Sequence, residues 1–216
     1  MKNSFELIIF DWDGTLINSI DWITHSLQFA AEHCKLPVPD SQSAKDVIGL
    51  SIKKAMQALF PGADEEAQNQ LVSYYSREYH SKQISKSDLF PGVYDMLEQL
   101  RQEGKRLAVA TGKNRAGLQH ALQATETEHL FCTTRCADET ASKPDPKMLH
   151  EIIEHTRIAH DRAIMVGDSI HDLQMARSAD IRFVAVACGA HSEALFQPHN
   201  PLLCLQQPAQ LLAHLR

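Results

Sequence analysis

The sequence predicts an α/β fold, a doubly wound parallel sheet with an inserted α-helical bundle. From Arg106 onward, short apolar runs alternate with segments of helical periodicity, which is the pattern of parallel strands joined by helices. A separate apolar run, Leu7–Phe10, comes earlier in the chain and indicates a first buried strand. Residues 16–82 contain no strand pattern, so a helical block interrupts the alternation directly behind that strand. Together these observations favour one sheet with one insert.

The helical block contains three segments in which apolar residues recur at helical spacing. These segments are residues 20–31, 48–59 and 71–79. Pro37 and Pro39 end the first helix, and Gly49 is a break near the start of the second. The predicted domain limits are therefore 16–82 for the helical insert and 1–15 with 83–216 for the α/β core.

Behind the insert the chain returns to alternating strands and helices. A helix over Val93–Leu100 stops at Gly104. Strands are predicted at 106–110, 131–134, 163–166 and 183–187, with helices at 115–124, 146–156 and 173–178 between them. Ligands of such sheets bind at the carboxyl ends of the strands. The polar residues that follow each strand are therefore the candidate site.

Composition excludes several classes of function. The 216 residues are 44% hydrophobic and 22% charged, as in an ordinary globular protein. A net charge of −6 without a basic run argues against nucleic acid or an anionic membrane, so we expect a small-molecule partner. No apolar run approaches the roughly 20 residues that span a bilayer, and the first residues lack the pattern of a signal peptide. We therefore expect a cytoplasmic protein and leave its oligomeric state open.

Cysteine and histidine patterns predict neither a disulfide framework nor a zinc site. The five cysteines include no CxxC pair, so we expect reduced and mostly buried thiols. Among the twelve histidines, His150, His155 and His160 fall five residues apart. That spacing turns the side chains around a helix instead of aligning them as metal ligands.

Two aspartates follow the first strand in the segment Asp11-Trp12-Asp13-Gly14-Thr15. Because strand side chains alternate, Asp11 and Asp13 share one face while Trp12 points away from it. Removing a carboxylate from water costs several kcal/mol and two carboxylates repel, so the pair requires a cation, a retained proton or a catalytic role. An acidic turn after a strand is the simpler alternative for this segment taken alone.

Other strand ends carry further polar groups. They are Thr111-Gly112-Lys113, Ser142-Lys143-Pro144-Asp145-Pro146 and Gly167-Asp168-Ser169-Ile170-His171-Asp172. If the sheet gathers them, one pocket holds three or four carboxylates, a hydroxyl and an ammonium group. Carboxylate oxygens suit magnesium, whereas the lysine and threonine suit phosphoryl oxygens. The predicted chemistry is phosphoryl transfer.

Four motifs in this order resemble those of the haloacid dehalogenase superfamily of phosphatases. They are Asp11-x-Asp13-Gly14-Thr15, Thr111-Gly112, Lys143-Pro144 and Gly167-Asp168-x-x-x-Asp172. The insert resembles that family's first-type cap, and the resemblance is weakest there and after Gly189. Within the family the chain is most similar to phosphoglycolate phosphatases. The resemblance implies a Mg²⁺-dependent phosphatase that hydrolyses a small phosphate monoester, a phosphorylated metabolite, through an aspartyl-phosphate.

The resemblance also implies roles for the three aspartates nearest the reaction. Asp11 is the expected nucleophile and a metal ligand. Asp13 is the expected general acid and base, and its backbone carbonyl is the family's usual metal ligand at this position. Asp168 resembles the acidic magnesium ligand of the family.

The remaining matched residues are expected to bind phosphate or to support the site. Thr111, the amide of Gly112 and Lys143 would hold the transferring phosphoryl group. Asp172 would orient Lys143 or act through a water, and Thr15 would support the turn after the first strand. The simpler alternatives are a strand-end cap for Thr111, a solvated loop lysine for Lys143 and a helix N-terminal carboxylate for Asp172.

Asp13 and the insert help to separate the reactions of this superfamily. Dehalogenases and phosphonate-cleaving members usually lack an acid at the position of Asp13. Phosphonate-cleaving members place a Schiff-base lysine, and sugar phosphomutases an arginine, shortly after a cap glycine, where this chain has Ile52 followed by Lys53 and Lys54. Phosphate ester hydrolysis is therefore preferred. A pyrophosphatase, a sugar phosphomutase, a phosphonate hydrolase and a catalytically silent binding protein remain as alternatives.

Several residues near these motifs have less definite assignments. Within the motifs, Lys113 is interpreted as part of the rim, Ser169 as support and His171 as variable. The candidates for contacting the leaving group from the insert are Ser51, Lys53, Lys54 and Gln57.

Overall fold

Six segments form the strands of one sheet in the computed structural model, which describes residues 5–215. The strands are β1 (Leu7–Phe10), β2 (Arg106–Thr111), β3 (Thr133–Cys136), β4 (Ala163–Gly167), β5 (Arg182–Val186) and β6 (Leu203–Leu205). Their order is β3-β2-β1-β4-β5-β6, and all neighbours are parallel. The predicted doubly wound parallel sheet is confirmed.

Helices join these strands and form the insert. They are α1 (Ile20–His33), α2 (Ser41–Asp46), α3 (Ile52–Leu59), α4 (Glu65–Tyr79), α5 (Val93–Gln102), α6 (Arg115–Ala124), α7 (Lys147–Thr156), α8 (Ile170–Ser178), α9 (Glu193–Phe196) and α10 (Leu211–Leu215). None of the helices in this described part of the chain is long and apolar enough to cross a membrane.

Both faces of the sheet are covered, because alternate side chains of each strand enter different hydrophobic clusters. Ile8 and Phe10 of β1 pack with α5, α6 and α10 on one face. Leu7 and Ile9 pack with α7, α8 and α9 on the other. β1 is thus buried on both sides, as its uninterrupted apolar sequence predicts. Its carboxyl end is held between β2 and β4, which fixes the position of the residues that follow it.

Helices α1 to α4 pack around a third cluster, whose fully buried members include Met56 and Leu71. The sequence reading differs from the structure in one detail here. It missed α2, which starts where the Asp40 side chain accepts a hydrogen bond from the Ser43 amide. The predicted break at Gly49 is confirmed, since Gly49 has a φ of 99° and α3 begins only at Ile52. Asp64 caps the polar first turn of α4, which extends this helix ahead of its apolar series.

The insert joins the sheet through two adjacent chain segments. Ile17 forms an antiparallel bridge with Leu89, and the Phe90 amide donates to the carbonyl oxygen of Leu16 at 3.0 Å. The chain therefore leaves and returns at one place, above the end of β1. The division into a core of residues 1–15 and 83–216 and a cap of residues 16–82 stays a prediction.

Three other boundaries differ from the sequence prediction. β3 lies slightly later than predicted, and α8 begins at Ile170 because Ser169 and Asp172 form a capping box ahead of its first leucine. β6 was not predicted at all, since its three residues are too few to show a strand period. It pairs with β5 and forms an edge of the sheet.

We expect Leu71→Ala to loosen the insert more than the sheet. Removing a fully buried leucine typically costs about 2–5 kcal/mol of unfolding free energy. Amide hydrogen exchange should accelerate in helices α1 to α4 and change less in β1, β2 and β4. Leu97→Ala, which empties an equally buried position of α5, is the matched control. Equal acceleration everywhere in Leu71→Ala would contradict the proposed division into two domains.

Candidate active site

The strand order brings residues that are distant in sequence to one edge of the sheet. Phe10 at the end of β1 is in register with Val109 of β2 and Val166 of β4. Asp11 continues this ladder, because its amide donates to the carbonyl oxygen of Val166 at 2.9 Å. The carboxyl ends of three adjacent strands therefore surround Asp11, as predicted for a site at this edge.

Lys143 is the buried cation of this edge. Its side chain is fully buried, and its Nζ lies 2.6 Å from Oδ1 of Asp11 and 2.6 Å from Oδ1 of Asp172. Burial alone would lower the pKa of Lys143, but the charges of Asp11 and Asp172 outweigh it and raise the pKa. The lysine stays protonated and holds the two carboxylates. The alternative of a solvated loop lysine is wrong.

Asp168 is held from two sides in a buried position. The Thr15 hydroxyl donates to its Oδ1 at 2.7 Å, and the Ala190 amide donates to its Oδ2 at 2.7 Å. Burial and the neighbouring charge of Asp172 raise the pKa of Asp168 to about 7, although both hydrogen bonds oppose this. Thr15 therefore supports the aspartate that follows β4. It also lies in the turn after β1, as the sequence predicts.

Asp11, Asp168 and Asp172 form a cluster in which one carboxylate oxygen of each residue lies within 4.8 Å of the others. Burial, Asp172 and Asp168 raise the pKa of Asp11, while Lys143 opposes the rise. Among the described residues, Lys143 is the one ammonium group that pairs with this cluster, and it contacts Asp11 and Asp172. This excess of negative charge and the oxygen-only donor set fit a hard divalent cation.

Asp13 lies apart from this cluster. The Ser19 hydroxyl donates to its Oδ1 at 2.7 Å, and Nζ of Lys113 lies 3.0 Å from its Oδ2. Asp172 provides the third side-chain carboxylate of that cluster, with Asp11 and Asp168. The sequence assigned the metal to Asp11, Asp13 and Asp168, with Asp13 contributing its backbone carbonyl, and that assignment stays a prediction.

Lys113 is not at the rim, so that interpretation was wrong. Its side chain is only 10% exposed, and its ammonium group donates to the Tyr79 hydroxyl at 2.7 Å while it pairs with Asp13. Burial alone would lower its pKa, but the charge of Asp13 outweighs burial and raises it. Its place directly after Thr111-Gly112 at a strand end was the one available sequence signal.

A cavity of about 100 Å³ lies between the sheet edge and the insert. The core lines it with Asp11, Asp13, Thr111, Gly112 and Lys113. The insert lines it with apolar residues of α1 and of the segment that leads into α3, and with Tyr75, Ser76, Tyr79 and His80 from α4 and its C-terminal end. Ile52 is among these lining residues, whereas the exposed Lys53, Lys54 and Gln57 are not.

The insert contacts the sheet edge through the segment before α3. An added Cβ at Gly112 would lie 2.5 Å from the carbonyl oxygens of Gly49 and Leu50, so only glycine fits this approach. The Ser51 amide donates to the Ser142 hydroxyl at 2.8 Å. These contacts close the cavity on one side, and Ser51 serves there as a contact between insert and core.

His171 and Ser169 also face the insert. Nε2 of His171 donates to the carbonyl oxygen of Asp46 at 2.8 Å, so this histidine has a defined contact with the insert. The Ser169 hydroxyl donates to Oδ2 of Asp172 at 2.5 Å, which supports the second partner of Lys143. Sequence periodicity could not indicate the His171 contact, because it depends on packing between distant segments.

Comparison with known proteins places this geometry in a family. A family profile described as haloacid dehalogenase-like hydrolase matches residues 8–186. The chain belongs to that family. The predicted resemblance to its phosphatases, phosphoglycolate phosphatases among them, is therefore confirmed.

Similar proteins carry phosphatase and pyrophosphatase names. "Probable phosphatase IndB" from Dickeya dadantii is 32% identical over 201 residues, which cover 90% of this chain and 86% of that protein. A phosphoglycolate phosphatase from Mannheimia succiniciproducens is 29% identical, over 98% and 99% of the two chains. Pyrophosphatase PpaX from Anoxybacillus flavithermus is 25% identical, over 95% and 94%.

Solved structures show the same fold. A structure described as a haloacid dehalogenase-like hydrolase from Bacteroides fragilis matches with a TM-score of 0.86 and 22% identity. The match covers 96% of this chain and 99% of the other. At this level of identity the likeness supports the architecture of sheet and insert.

We expect stabilisation by a divalent cation to increase with pH. The folded-state pKa of Asp168 is raised from 3.8 to about 7, so the metal-free protein loses stability as pH rises through this window and the carboxylate ionises. A cation binds the ionised form and offsets this loss. Added Mg²⁺ should therefore raise Tm more at about pH 8 than at about pH 5.

Asp168→Ala serves as the control for this measurement. It removes one carboxylate of the cluster, so its Tm should respond little to Mg²⁺ at either pH. A Tm shift in the wild-type protein that is the same at both pH values would contradict cation binding at this cluster.

Proposed function

We propose that this protein is a Mg²⁺-dependent phosphatase that hydrolyses a small, phosphoglycolate-like phosphate monoester through an aspartyl-phosphate on Asp11. The observation that carries this proposal is the pairing of the buried Asp11 with Lys143, beside a second aspartate on the same cavity. A buried carboxylate held by an ammonium group at the end of a central strand is oriented for nucleophilic attack.

The reaction would proceed in two halves. In the first, an Asp11 oxygen bonds to phosphorus as the ester P–O bond breaks, and Asp13 gives its proton to the leaving oxygen. In the second, Asp13 takes a proton from water, whose oxygen attacks phosphorus and releases inorganic phosphate and free Asp11. Mg²⁺ held by Asp11, Asp168 and the backbone carbonyl of Asp13 would offset charge on the nucleophile and the phosphoryl group.

Three core groups are suited to hold the phosphoryl group during transfer. Thr111 is buried at the end of β2, and its hydroxyl accepts from the Lys113 amide at 3.2 Å, which leaves its proton free for a phosphoryl oxygen. The Gly112 amide and the Lys143 ammonium group would supply further positive partners. Asp172 contributes by fixing Lys143, at 2.6 Å from its Nζ.

The insert favours hydrolysis of a small ester over the other reactions of the superfamily. Ile52 lines the cavity near the position at which phosphonate-cleaving members have a Schiff-base lysine and sugar phosphomutases have an arginine. Lys53 and Lys54 are exposed and do not line the cavity. The small cavity limits the size of the leaving group. We propose that residues 16–82 act as a cap that excludes water during transfer.

Pyrophosphate hydrolysis is the second candidate function. A relative of similar length carries the name pyrophosphatase, at 25% identity. The same residues would serve, with a phosphate in place of an alcohol as the leaving group.

We expect the purified protein to release inorganic phosphate from small phosphate esters only when Mg²⁺ is present. A panel of esters with pyrophosphate included separates the two candidate functions, and EDTA should stop the release. Asp11→Asn should abolish it, because an amide cannot form the phosphoryl intermediate. Asp161→Asn changes an exposed aspartate and is the matched control. Full activity in Asp11→Asn would contradict the nucleophile assignment.

We expect Asp13→Asn to separate the two halves of the reaction. Loss of a general acid and base typically slows turnover by about 10²–10⁴-fold. An ester with a good leaving group, such as p-nitrophenyl phosphate, needs little protonation, so phosphorylation should continue while hydrolysis stalls. Phosphorylated protein should accumulate in this variant and be detectable by intact mass. Turnover without accumulation and at the wild-type rate would assign the acid to another group.

A further inference from the structure

The segment Gly189-Ala190-His191 follows β5 and encloses Asp168, and the proposed reaction gives it no role. An added Cβ at Gly189 would lie 2.1 Å from Oδ2 of Asp168, so only glycine fits there. The Ala190 amide donates to the same Oδ2 at 2.7 Å. The His191 amide donates to the backbone carbonyl oxygen of Asp168 at 3.1 Å. The position of Asp168 therefore depends on the position of this segment.

The ring of His191 extends this enclosure to the start of α8. Its Nδ1 accepts a hydrogen bond from the Ile170 amide at 3.0 Å, so the proton of the neutral ring is on Nε2. The side chain is only 3% exposed. His191 thus holds the loop around Asp168 at two points, through its own amide and through its ring.

The same segment also contacts the insert. Ala190 is a buried member of the hydrophobic cluster that α1 to α4 surround, and the other members of that cluster belong to the insert. Nε2 of His191 faces Oδ1 of Asp46, the last residue of α2, at 3.5 Å. Gln42 of the same helix donates to this oxygen at 2.7 Å, which fixes the carboxylate. One short segment therefore lies between the insert and Asp168.

We propose that His191 is a positioning residue that transmits docking of the insert to Asp168. This inference rests on the proposed function, because it takes Asp168 as a ligand of Mg²⁺. It adds that the loop around this carboxylate is fully ordered only when Asp46 of the insert faces His191. A docked insert and an ordered metal-binding loop then stabilise each other, and such coupling is reciprocal between the two sites.

The imidazole ring is suited to this link because it is rigid and has a partner at each nitrogen. The Ile170 amide is one of the first amides of α8, which have no acceptor within the helix, so it depends on Nδ1 of His191. A ring that turns away from Asp46 also moves Nδ1 away from that amide. The contact with the insert and the start of α8 therefore change together.

The test follows the exchange of two core amides after a change in the insert. Asp46→Ala removes the acceptor that faces His191 and touches neither the Ile170 amide nor the His191 amide. In the metal-free protein, NMR should show that both amides exchange about 5-fold faster or more, as expected for coupled sites. Asp46→Asn keeps an oxygen acceptor and should restore wild-type exchange. Glu32→Ala removes an exposed acidic residue of α1 and is the matched control, with unchanged exchange.

The affinity for Mg²⁺ gives a second readout. Asp46 lies outside the carboxylate cluster, yet Asp46→Ala should weaken Mg²⁺ binding by about 5-fold in a calorimetric titration, whereas Glu32→Ala should not. His191→Asn, whose shorter side chain reaches the Ile170 amide but not Asp46, should match Asp46→Ala in exchange and in affinity. The double variant should lose no more than either single variant, since both changes break the same link.

Two results would overturn the inference. One is unchanged exchange of the Ile170 and His191 amides in Asp46→Ala. The other is additive loss in the double variant, which would show that Asp46 and His191 act separately. Failure of the proposed function would look different, because the wild-type protein would then bind no Mg²⁺ and release no phosphate. The exchange measurements on the metal-free protein would still decide whether the insert controls the loop around Asp168.

Discussion

The site depends on one interaction, the contact of a fully buried ammonium group with two carboxylates. Lys143 lies 2.6 Å from both Asp11 and Asp172, and none of the three side chains has appreciable contact with solvent. Removing Lys143 would leave two carboxylates in the interior without their cation, which is strongly destabilising. This constraint fixes the loop after β3, the start of α8 and the end of β1 relative to one another.

The same arrangement leaves negative charge in excess and so prepares the site for a cation. Asp168 shares the cluster but has no lysine of its own, and its pKa rises to about 7 as a result of burial and of Asp172. Hydrogen bonds from Thr15 and Ala190 keep the carboxylate in place. Asp168 is thus held firmly by hydrogen bonds and also has a raised pKa. This combination is common where a protein binds metal or performs catalysis.

A second ion pair gives the two aspartates of the first motif different surroundings. Asp11 is held by a lysine from the far side of the site, whereas Asp13 is held by Lys113 and by Ser19 near the start of the insert. Two carboxylates only two residues apart thereby occupy different environments. Different environments are what a nucleophile and an acid need when they act on the same phosphoryl group. Tyr79 connects this second pair to the insert.

The sequence by itself determined the fold class, the strand ends and the residues around Asp11, because apolar periodicity and strand-end motifs are local features of a chain. The alternation of strand side chains also predicted that Asp11 and Asp13 face the same side and Trp12 the other. In the structure, both aspartates line the cavity and Trp12 is buried in the core. Only the tertiary structure decided which partner each charge has. Lys113 and Tyr79 are 34 residues apart and belong to core and insert, so their contact depends on how helices pack across the cavity. No periodicity along the chain encodes such packing, and the assignment of Lys113 to the rim failed for that reason.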